Sequence, residues 1–275
     1  MTRATLSEVL RPALQQGYAV PGFVVLGWED ARAFVAAAED LGLPVILQAG
    51  PGCRAHTPLP VLGAMFSWLA EQARVPVVAH LDHSRDVATC RAAIDSGFTS
   101  VMIDGSDLPL ESNVQLTADV VALARASGVS VEAELGVVGY AGGAASLVTD
   151  AAEAVQMAAT GIDALAISVG NVHLMQASDA VIDRAAIDRI AALCPGLPLV
   201  LHGGSGIAGD DRRDLALHSA VCKFNIGTEL RMAFGQSLRE AVLRDPTEFD
   251  RTALLKQTMA PMQRIAGQIL RQLAL

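Results

Sequence analysis

The 275-residue sequence is poor in aromatic residues, in charged residues and in closely spaced cysteines. Charged residues make up 18%, aromatic residues 4%, and the formal net charge is −9. Because a phosphate backbone attracts clusters of Lys and Arg, a negative chain without such a run is not predicted to bind nucleic acid. No stretch reaches about 18 uninterrupted apolar residues, so the sequence predicts no membrane-spanning helix.

The cysteines and the N-terminal segment both favour a cytoplasmic location. Cys53, Cys90, Cys194 and Cys222 occur singly, without a C-x-x-C pair. Scattered thiols of this kind are typical of a reducing compartment, where they serve as small buried apolar groups. Residues 1–17 form a polar helical pattern and lack the charged cap and apolar core of a signal peptide.

Short runs of β-branched residues alternate with longer helical patterns along the whole chain. The predicted strands are 18–25, 44–49, 76–82, 100–104, 130–135, 164–169, 198–202 and 222–226. The predicted helices between and after them are 29–41, 59–74, 86–96, 111–127, 151–160, 184–193, 210–218 and 229–243. Eight such units predict the α/β class and a closed parallel (β/α)8 TIM barrel, with residues 1–275 as a single domain.

A further helical segment follows the eighth unit. Residues 252–275 carry apolar side chains at helical spacing, which is more than a barrel needs, so we expect an additional C-terminal helix. Two interpretations are open. The helix packs on the barrel wall, or it contributes to a subunit interface in a homodimer or homotetramer.

Polar residues at the carboxyl ends of the predicted strands indicate where the chemistry lies, because barrel active sites are built there. His83 follows the third strand, His173 follows the sixth, and His202 ends the seventh. Three imidazoles that converge on one barrel mouth are typical of a catalytic Zn²⁺ or another divalent metal ion. Strand alternation predicts that His80 is not a ligand, and that Asp82 points to a different side from His83 and can transfer protons.

Two glycine-rich runs predict a phosphate site. HGGSG follows the seventh strand and NIGT follows the eighth, and loops at these places are a recurrent phosphate site in barrels. Glycines allow backbone N–H groups to approach the anion, and hydroxyl groups add donors. The predicted phosphate and substrate contacts are Gly203, Gly204, Ser205, Asn225, Ile226, Gly227, Thr228 and the backbone of Leu174.

The sequence resembles the class II, metal-dependent fructose- and tagatose-bisphosphate aldolases over almost its full length. The strings PVVAHLDH, GFTSVMIDGS, SVEAELG, LVLHGGSG and FNIGTELRMAF carry the resemblance. It implies an aldolase that cleaves or forms a carbon–carbon bond in a ketose phosphate, giving dihydroxyacetone phosphate or a related ketone plus an aldehyde. It also implies the site residues: ligands His83, His173 and His202, acid/base Asp82, and Asp104 and Glu134 as a secondary metal position or proton-transfer groups.

The sequence departs from the pattern of these relatives at four places. Val24 stands where they usually have Asn, positions 49–50 lack a Ser, and Leu174 replaces a Gly. The 137–148 loop lacks their acidic cluster, which leaves Tyr140 as its only ionisable side chain. These changes predict a more apolar aldehyde half of the pocket and a substrate other than the common hexose bisphosphate.

Two alternatives to an aldolase are also open. The first is another metal-dependent reaction through an enediolate, such as an isomerisation or the cleavage of a non-phosphorylated hydroxyketo acid. The second is a sugar-phosphate-binding protein without turnover. The missing loop acid favours this second alternative, and the presence of Asp82 counts against it.

Overall fold

The computed structural model describes residues 2–143 and 146–274, and its central feature is a closed parallel sheet. The barrel strands are β1 Val20–Val24, β2 Val45–Ala49, β3 Val77–Ser84, β4 Ser100–Ile103, β5 Ser130–Leu135, β6 Ala164–Ile167, β7 Leu199–Leu201 and β8 Val221–Ile226. Each strand pairs in parallel with its two neighbours, and the pairing of β8 with β1 completes the ring. The predicted (β/α)8 barrel is confirmed.

Helices surround the strands in the predicted order. They are α1 Leu6–Gln16, α2 Trp28–Leu41, α3 Pro51–His56, α4 Leu59–Gln72, α5 Val87–Asp95, α6 Leu110–Arg125, α7 Ala151–Ala159, α8 Arg184–Leu193, α9 Gly209–His218, α10 Thr228–Arg244 and α11 Arg251–Leu273. The short α3 was not predicted. It begins with a proline, whose fixed φ suits the first position of a helix.

Helix α1 closes the amino-terminal end of the barrel. Leu6 and Leu10 are fully buried, and they pack against inward-facing side chains of the strands, among them Ile46, Val78 and Met102. A two-residue strand, Arg3–Ala4, pairs with β3 and leads the chain into α1. The carboxyl ends of the strands therefore form the open mouth of the barrel, where the predicted site residues lie.

The C-terminal helix α11 packs on the barrel wall against α2 and α10. Met262, Ile269 and Leu273 are buried inside the chain itself. The apolar stripe of α11 thus has a partner surface within the same chain, as expected if the helix packs on the barrel wall. No helix in residues 2–143 and 146–274 combines the length and the apolar composition needed to cross a membrane.

We expect Ile269→Ala to lower the free energy of unfolding by about 2–5 kcal/mol, because it leaves a cavity where α11 meets the barrel. Ile269 is 1% exposed, whereas its neighbour Gln268 faces solvent, so Gln268→Ala is the matched control. Urea unfolding measures both variants. Equal stability of the two would contradict the packing of α11.

Candidate active site

A β-bulge in β3 brings two neighbouring side chains to the barrel mouth. The pairing of β3 with β4 shifts between Leu81 and Ser84, and His83 has a left-handed φ of 50°. A bulge interrupts the alternation of side chains along a strand. Asp82 and His83 therefore line the same cavity, which has a volume of about 290 Å³. Strand alternation predicted that the two side chains point to different sides, and the bulge removes that separation.

Arg54 of α3 holds the bulge in place. Its guanidinium donates hydrogen bonds to the carbonyl oxygens of Ala49 at 2.7 Å, of His83 at 3.0 Å and of Asp82. Three backbone acceptors satisfy most of the donors on one guanidinium group. The unpredicted helix α3 thus supplies the side chain that fixes the end of β3 to the end of β2.

The three predicted histidine ligands converge. One nitrogen from each of His83, His173 and His202 lies within 4.8 Å of the others. The ring centroids of His83 and His202 are 4.6 Å apart, and those of His83 and His173 are 5.4 Å apart. Two residues of the 137–148 loop position His173. The backbone N–H of His173 donates to the carbonyl oxygen of Gly139 at 2.8 Å, and the Tyr140 ring stacks on the imidazole with ring centroids 4.9 Å apart.

A buried network fixes the tautomer of His202. Its Nε2 lies 3.1 Å from Oε1 of Glu132, and Oε2 of Glu132 accepts a hydrogen bond from the Lys223 ammonium at 2.8 Å. Nε2 must carry the proton, since a carboxylate can only accept. The Nδ1 of His202 then bears a lone pair, and it has no hydrogen-bond partner among the described residues although it is buried. An unpartnered buried lone pair of this kind fits a metal ligand.

His80 belongs to this network and not to the set of converging ligands. It is fully buried, with Nδ1 at 2.8 Å from the Ser100 hydroxyl and Nε2 at 3.7 Å from Glu132. Burial and the neighbouring Lys223 ammonium lower the pKa of His80 well below its ordinary value. The imidazole is therefore neutral and serves as a packing and hydrogen-bonding group below the mouth.

Carboxylates surround His83. Its Nδ1 lies 2.8 Å from Oδ2 of Asp104 and 3.5 Å from Oε2 of Glu134, and these three residues form a second group that can hold a cation. Burial alone would lower the pKa of His83, but Asp82, Asp104 and Glu134 outweigh it and raise the pKa to about 9. Burial and the nearby acids also raise the pKa of Glu134 to about 8. The mouth thus concentrates buried acidic groups, whose ionised forms a divalent cation would stabilise.

His173 offers a neutral imidazole. Burial and the nearby His83 lower its pKa to about 4, so its ring nitrogens carry no extra proton at neutral pH. Neutral imidazole is the form that ligates metals. The donor set and the surrounding charge therefore both suit a divalent transition metal ion.

The two glycine-rich runs form one wall of the cavity, which Gly203, Ser205, Asn225, Gly227 and Thr228 line. The φ of Gly203 is 65°, and a Cβ there would stand 2.2 Å from the carbonyl oxygen of Val172, so only glycine fits. Thr228 begins α10, and the first turn of a helix has free backbone N–H groups that can bind an anion.

Two of the predicted contacts lie behind this wall. Gly204 and Ile226 are buried and do not line the cavity. A Cβ on Gly204 would stand 3.0 Å from the carbonyl oxygen of Asn225, so the glycine allows the two loops to pack closely. These residues shape the wall without presenting side chains to a ligand.

Sequence reasoning missed Arg231. It lies one helical turn after Thr228, lines the same cavity, and places its Cζ 3.9 Å from where a Cβ on Gly227 would stand. Among the described residues it is the only Arg or Lys that lines this cavity. The i, i+3 spacing in the string TELR is the signal that could have identified it.

Leu174 lines the cavity with a left-handed backbone. Its φ is 59°, a conformation that glycine adopts without strain and leucine does not. This backbone conformation favours glycine over leucine at position 174. The leucine side chain is 51% exposed at the rim, next to the ligand candidate His173.

Comparisons with known proteins agree with this geometry. Residues 4–274 match the protein family described as class-II fructose-bisphosphate aldolase. The chain is 39% identical over 258 residues to a fructose-bisphosphate aldolase of Geobacillus stearothermophilus, covering 91% of this chain and 89% of the relative. The YdjI aldolase of Escherichia coli K12 superposes with a TM-score of 0.84 at 28% identity, covering 98% and 97% of the two chains. A fructose-bisphosphate aldolase from Campylobacter jejuni shares the fold, with a TM-score of 0.80 at 23% identity over 98% and 94%.

We expect Glu132→Gln to weaken Zn²⁺ binding by about 10–100-fold, because a neutral amide can either accept from Nε2 of His202 or donate to it and so no longer holds the proton there. Competition with a chromophoric chelator measures the affinity. Glu111→Gln on the exposed surface of α6 is the control. A double variant, Glu132→Gln/Lys223→Met, also removes the ammonium left without its carboxylate partner. Parent-like affinity in both Glu132 variants would show that the network does not orient His202.

Proposed function

We propose that this chain acts on a ketose phosphate at the mouth of its barrel. The chain belongs to the class II fructose-bisphosphate aldolase family and is a metal-dependent aldolase. The products of cleavage are dihydroxyacetone phosphate, or a related ketone phosphate, and an aldehyde. One observation carries the proposal. Three histidines converge beside a glycine-rich wall that can hold a phosphate, with the Asp82 carboxylate in the same cavity.

The residues that would hold the metal ion are His83, His173 and His202. We propose Zn²⁺ or another divalent transition metal ion, because three imidazoles with an open position are a common catalytic zinc site. When bound, the ion supplies positive charge that stabilises the negative charge developing on the substrate oxygens as the carbon–carbon bond breaks. Asp104 and Glu134 are proposed to hold a secondary cation position or to take part in proton transfer. Their carboxylate oxygens lie 2.8 and 3.5 Å from Nδ1 of His83.

Asp82 is the proposed acid/base. In the cleavage direction its carboxylate accepts the proton of the hydroxyl group beyond the scissile bond. The O–H electrons form the carbonyl of the leaving aldehyde, and the electrons of the broken bond remain on the ketone fragment, which then takes up a proton on carbon. Asn225 orients the carboxylate, because its Nδ2 donates to Oδ1 of Asp82 at 3.3 Å. Oδ2 stands on the side of Gly50.

The phosphate group of the substrate is proposed to bind at the wall formed by the two glycine-rich runs. Backbone N–H groups near Gly203 and Thr228, the N–H of Leu174 and the hydroxyls of Ser205 and Thr228 supply donors. Ser205 is buried, and its Oγ accepts a hydrogen bond from the backbone N–H of Glu229 at 3.3 Å. The hydroxyl proton of Ser205 is therefore free to be donated to another acceptor. Arg231 supplies a full positive charge at the same end of the cavity.

We further propose a cytoplasmic homodimer or homotetramer. All four cysteines are buried and none forms a disulfide, as expected in a reducing compartment. Trp28 and Trp68 form a partly exposed pair with ring centroids 5.8 Å apart, and exposed tryptophans are common at subunit interfaces. Light scattering after size exclusion measures the assembly.

We expect Asp82→Ala to lower the rate of carbon–carbon cleavage by about 10²–10⁴-fold while metal content and affinity for dihydroxyacetone phosphate stay unchanged. Asp119→Ala on the exposed face of α6 is the control. The rate is measured by a retro-aldol assay across ketose mono- and bisphosphates. Recovery of the rate with excess Zn²⁺ would remove Asp82 from the mechanism and assign it a structural role.

We expect the double variant Ser205→Ala/Thr228→Ala to bind dihydroxyacetone phosphate at least about 10-fold more weakly, through the loss of charge-assisted hydrogen bonds. Calorimetry with dihydroxyacetone phosphate and with unphosphorylated dihydroxyacetone separates the phosphate contribution from the rest. Ser112→Ala/Thr252→Ala, which changes two exposed residues, is the matched control. The assignment of this wall is wrong if the double variant binds both ligands like the parent.

A further inference from the structure

A glutamine side chain lies inside the barrel below the candidate active site, and its amide group is unpaired. Gln48 follows Ile46 by two positions on β2, so it shares the inward face of the strand, one level above the apolar layer that packs on α1. The side chain is fully buried, and neither Oε1 nor Nε2 has a hydrogen-bond partner in the described part of the chain. Because a buried amide without a partner is costly, we looked for a buried polar atom nearby that also lacks one.

Asn225 has such an atom. Its Oδ1 is buried and has no hydrogen-bond partner within the described ranges. A Cβ on Gly22 would overlap Oε1 of Gln48 and would stand 3.1 Å from Oδ1 of Asn225. The two amide groups therefore approach each other at a place that a side chain at position 22 would fill.

Asp82 sets the orientation of the Asn225 amide. Nδ2 of Asn225 donates to Oδ1 of Asp82 at 3.3 Å, and an ionised carboxylate can only accept. Oδ1 of Asn225 is therefore an acceptor, and its partner must be a donor. Rotating the Gln48 amide by half a turn exchanges Oε1 for Nε2, which supplies that donor, since the two ends of an amide have nearly the same shape.

We propose that Gln48 is a positioning residue for the aldolase reaction: its Nε2 donates to Oδ1 of Asn225 and so holds the Asn225 amide against Asp82. Oδ1 of Asp82 is then occupied, and Oδ2, on the side of Gly50, is left to accept the hydroxyl proton of the substrate. Gln48 itself does not line the cavity, so it acts through Asn225. This inference rests on the proposed aldolase function and adds a residue to its mechanism.

The first test is Gln48→Met, which keeps the length of the side chain and removes its donor. The Asn225 amide can then turn over and present its oxygen to the Asp82 carboxylate. We expect kcat for cleavage to fall by about 10-fold, while KM and Zn²⁺ affinity stay close to those of the parent. The probes are fructose 1-phosphate, fructose 1,6-bisphosphate and tagatose 1,6-bisphosphate. Gln15→Met, on the exposed surface of α1, is the matched control.

Two further measurements separate positioning from a general structural role. If Gln48 acts through Asn225, Gln48→Met should lower kcat in the parent but not further in Asn225→Ala. Exchange of a carbon-bound proton of dihydroxyacetone phosphate with heavy water involves no aldehyde hydroxyl, so Gln48→Met should retain it.

A crystal structure of the Zn²⁺-loaded parent tests the contact without any variant, and so covers the case in which Gln48→Met does not fold. We expect about 2.7–3.2 Å between Nε2 of Gln48 and Oδ1 of Asn225. An amide of Gln48 that is turned away from Asn225 would overturn the inference.

The outcomes distinguish this inference from the proposed function. Parent-like cleavage by Gln48→Met, a further loss of kcat in the double variant, or loss of exchange together with cleavage overturns the inference and leaves the proposed function standing. If the parent exchanges the proton but cleaves none of the three sugars, the crystal structure decides. If the Zn²⁺-loaded parent shows neither exchange nor cleavage, the proposed function itself fails.

Discussion

Lys223 and Glu132 form an ion pair inside the barrel, where neither side chain is exposed. A buried carboxylate with a cationic partner can also accept from a neutral imidazole, and Glu132 does so from Nε2 of His202. This hydrogen bond decides which nitrogen of His202 faces the mouth with a lone pair. The tautomer of His202, and with it the ability of this residue to bind a cation, thus depends on Glu132 and on the Lys223 ammonium that pairs with Glu132. Lys223 lies two positions before Asn225 on β8.

Above the apolar layer that packs on α1, the polar inward-facing side chains form two layers, because residues two apart on a strand share a face. His80, Glu132 and Lys223 make the lower layer, in which the charges compensate one another. The upper layer contains the residues two positions further on, Asp82, Glu134 and Asn225, and it has an excess of acid. Alternation alone would leave His83 out of this layer, so the bulge in β3 is what adds an imidazole to the upper layer.

Much of this arrangement could be predicted from the sequence, and the limits have physical causes. The β-branched runs predicted every barrel strand, because buried parallel strands read as continuous apolar segments. Polar residues at strand ends identified the candidate ligands, since a closed barrel gathers those ends. The bulge, α3 with Arg54, and the pairing of Lys223 with Glu132 were not predicted. Each depends on contacts between residues far apart in the chain. Such contacts leave no local pattern in a single sequence.

The two ends of the cavity offer a ligand different groups, backbone donors at one end and side chains at the other. At the phosphate end, donors come largely from the backbone, so the local conformation matters more than the side chain. Leu174 accordingly keeps a φ of 59° where glycine would be unstrained. At the other end, beside Asp82, the side chains themselves form the surface. Substitution at the phosphate end therefore preserves the N–H group, whereas substitution at the other end changes what the cavity accepts. Divergence of substrate in a barrel of this kind is expected at the end where side chains, not the backbone, make the contacts.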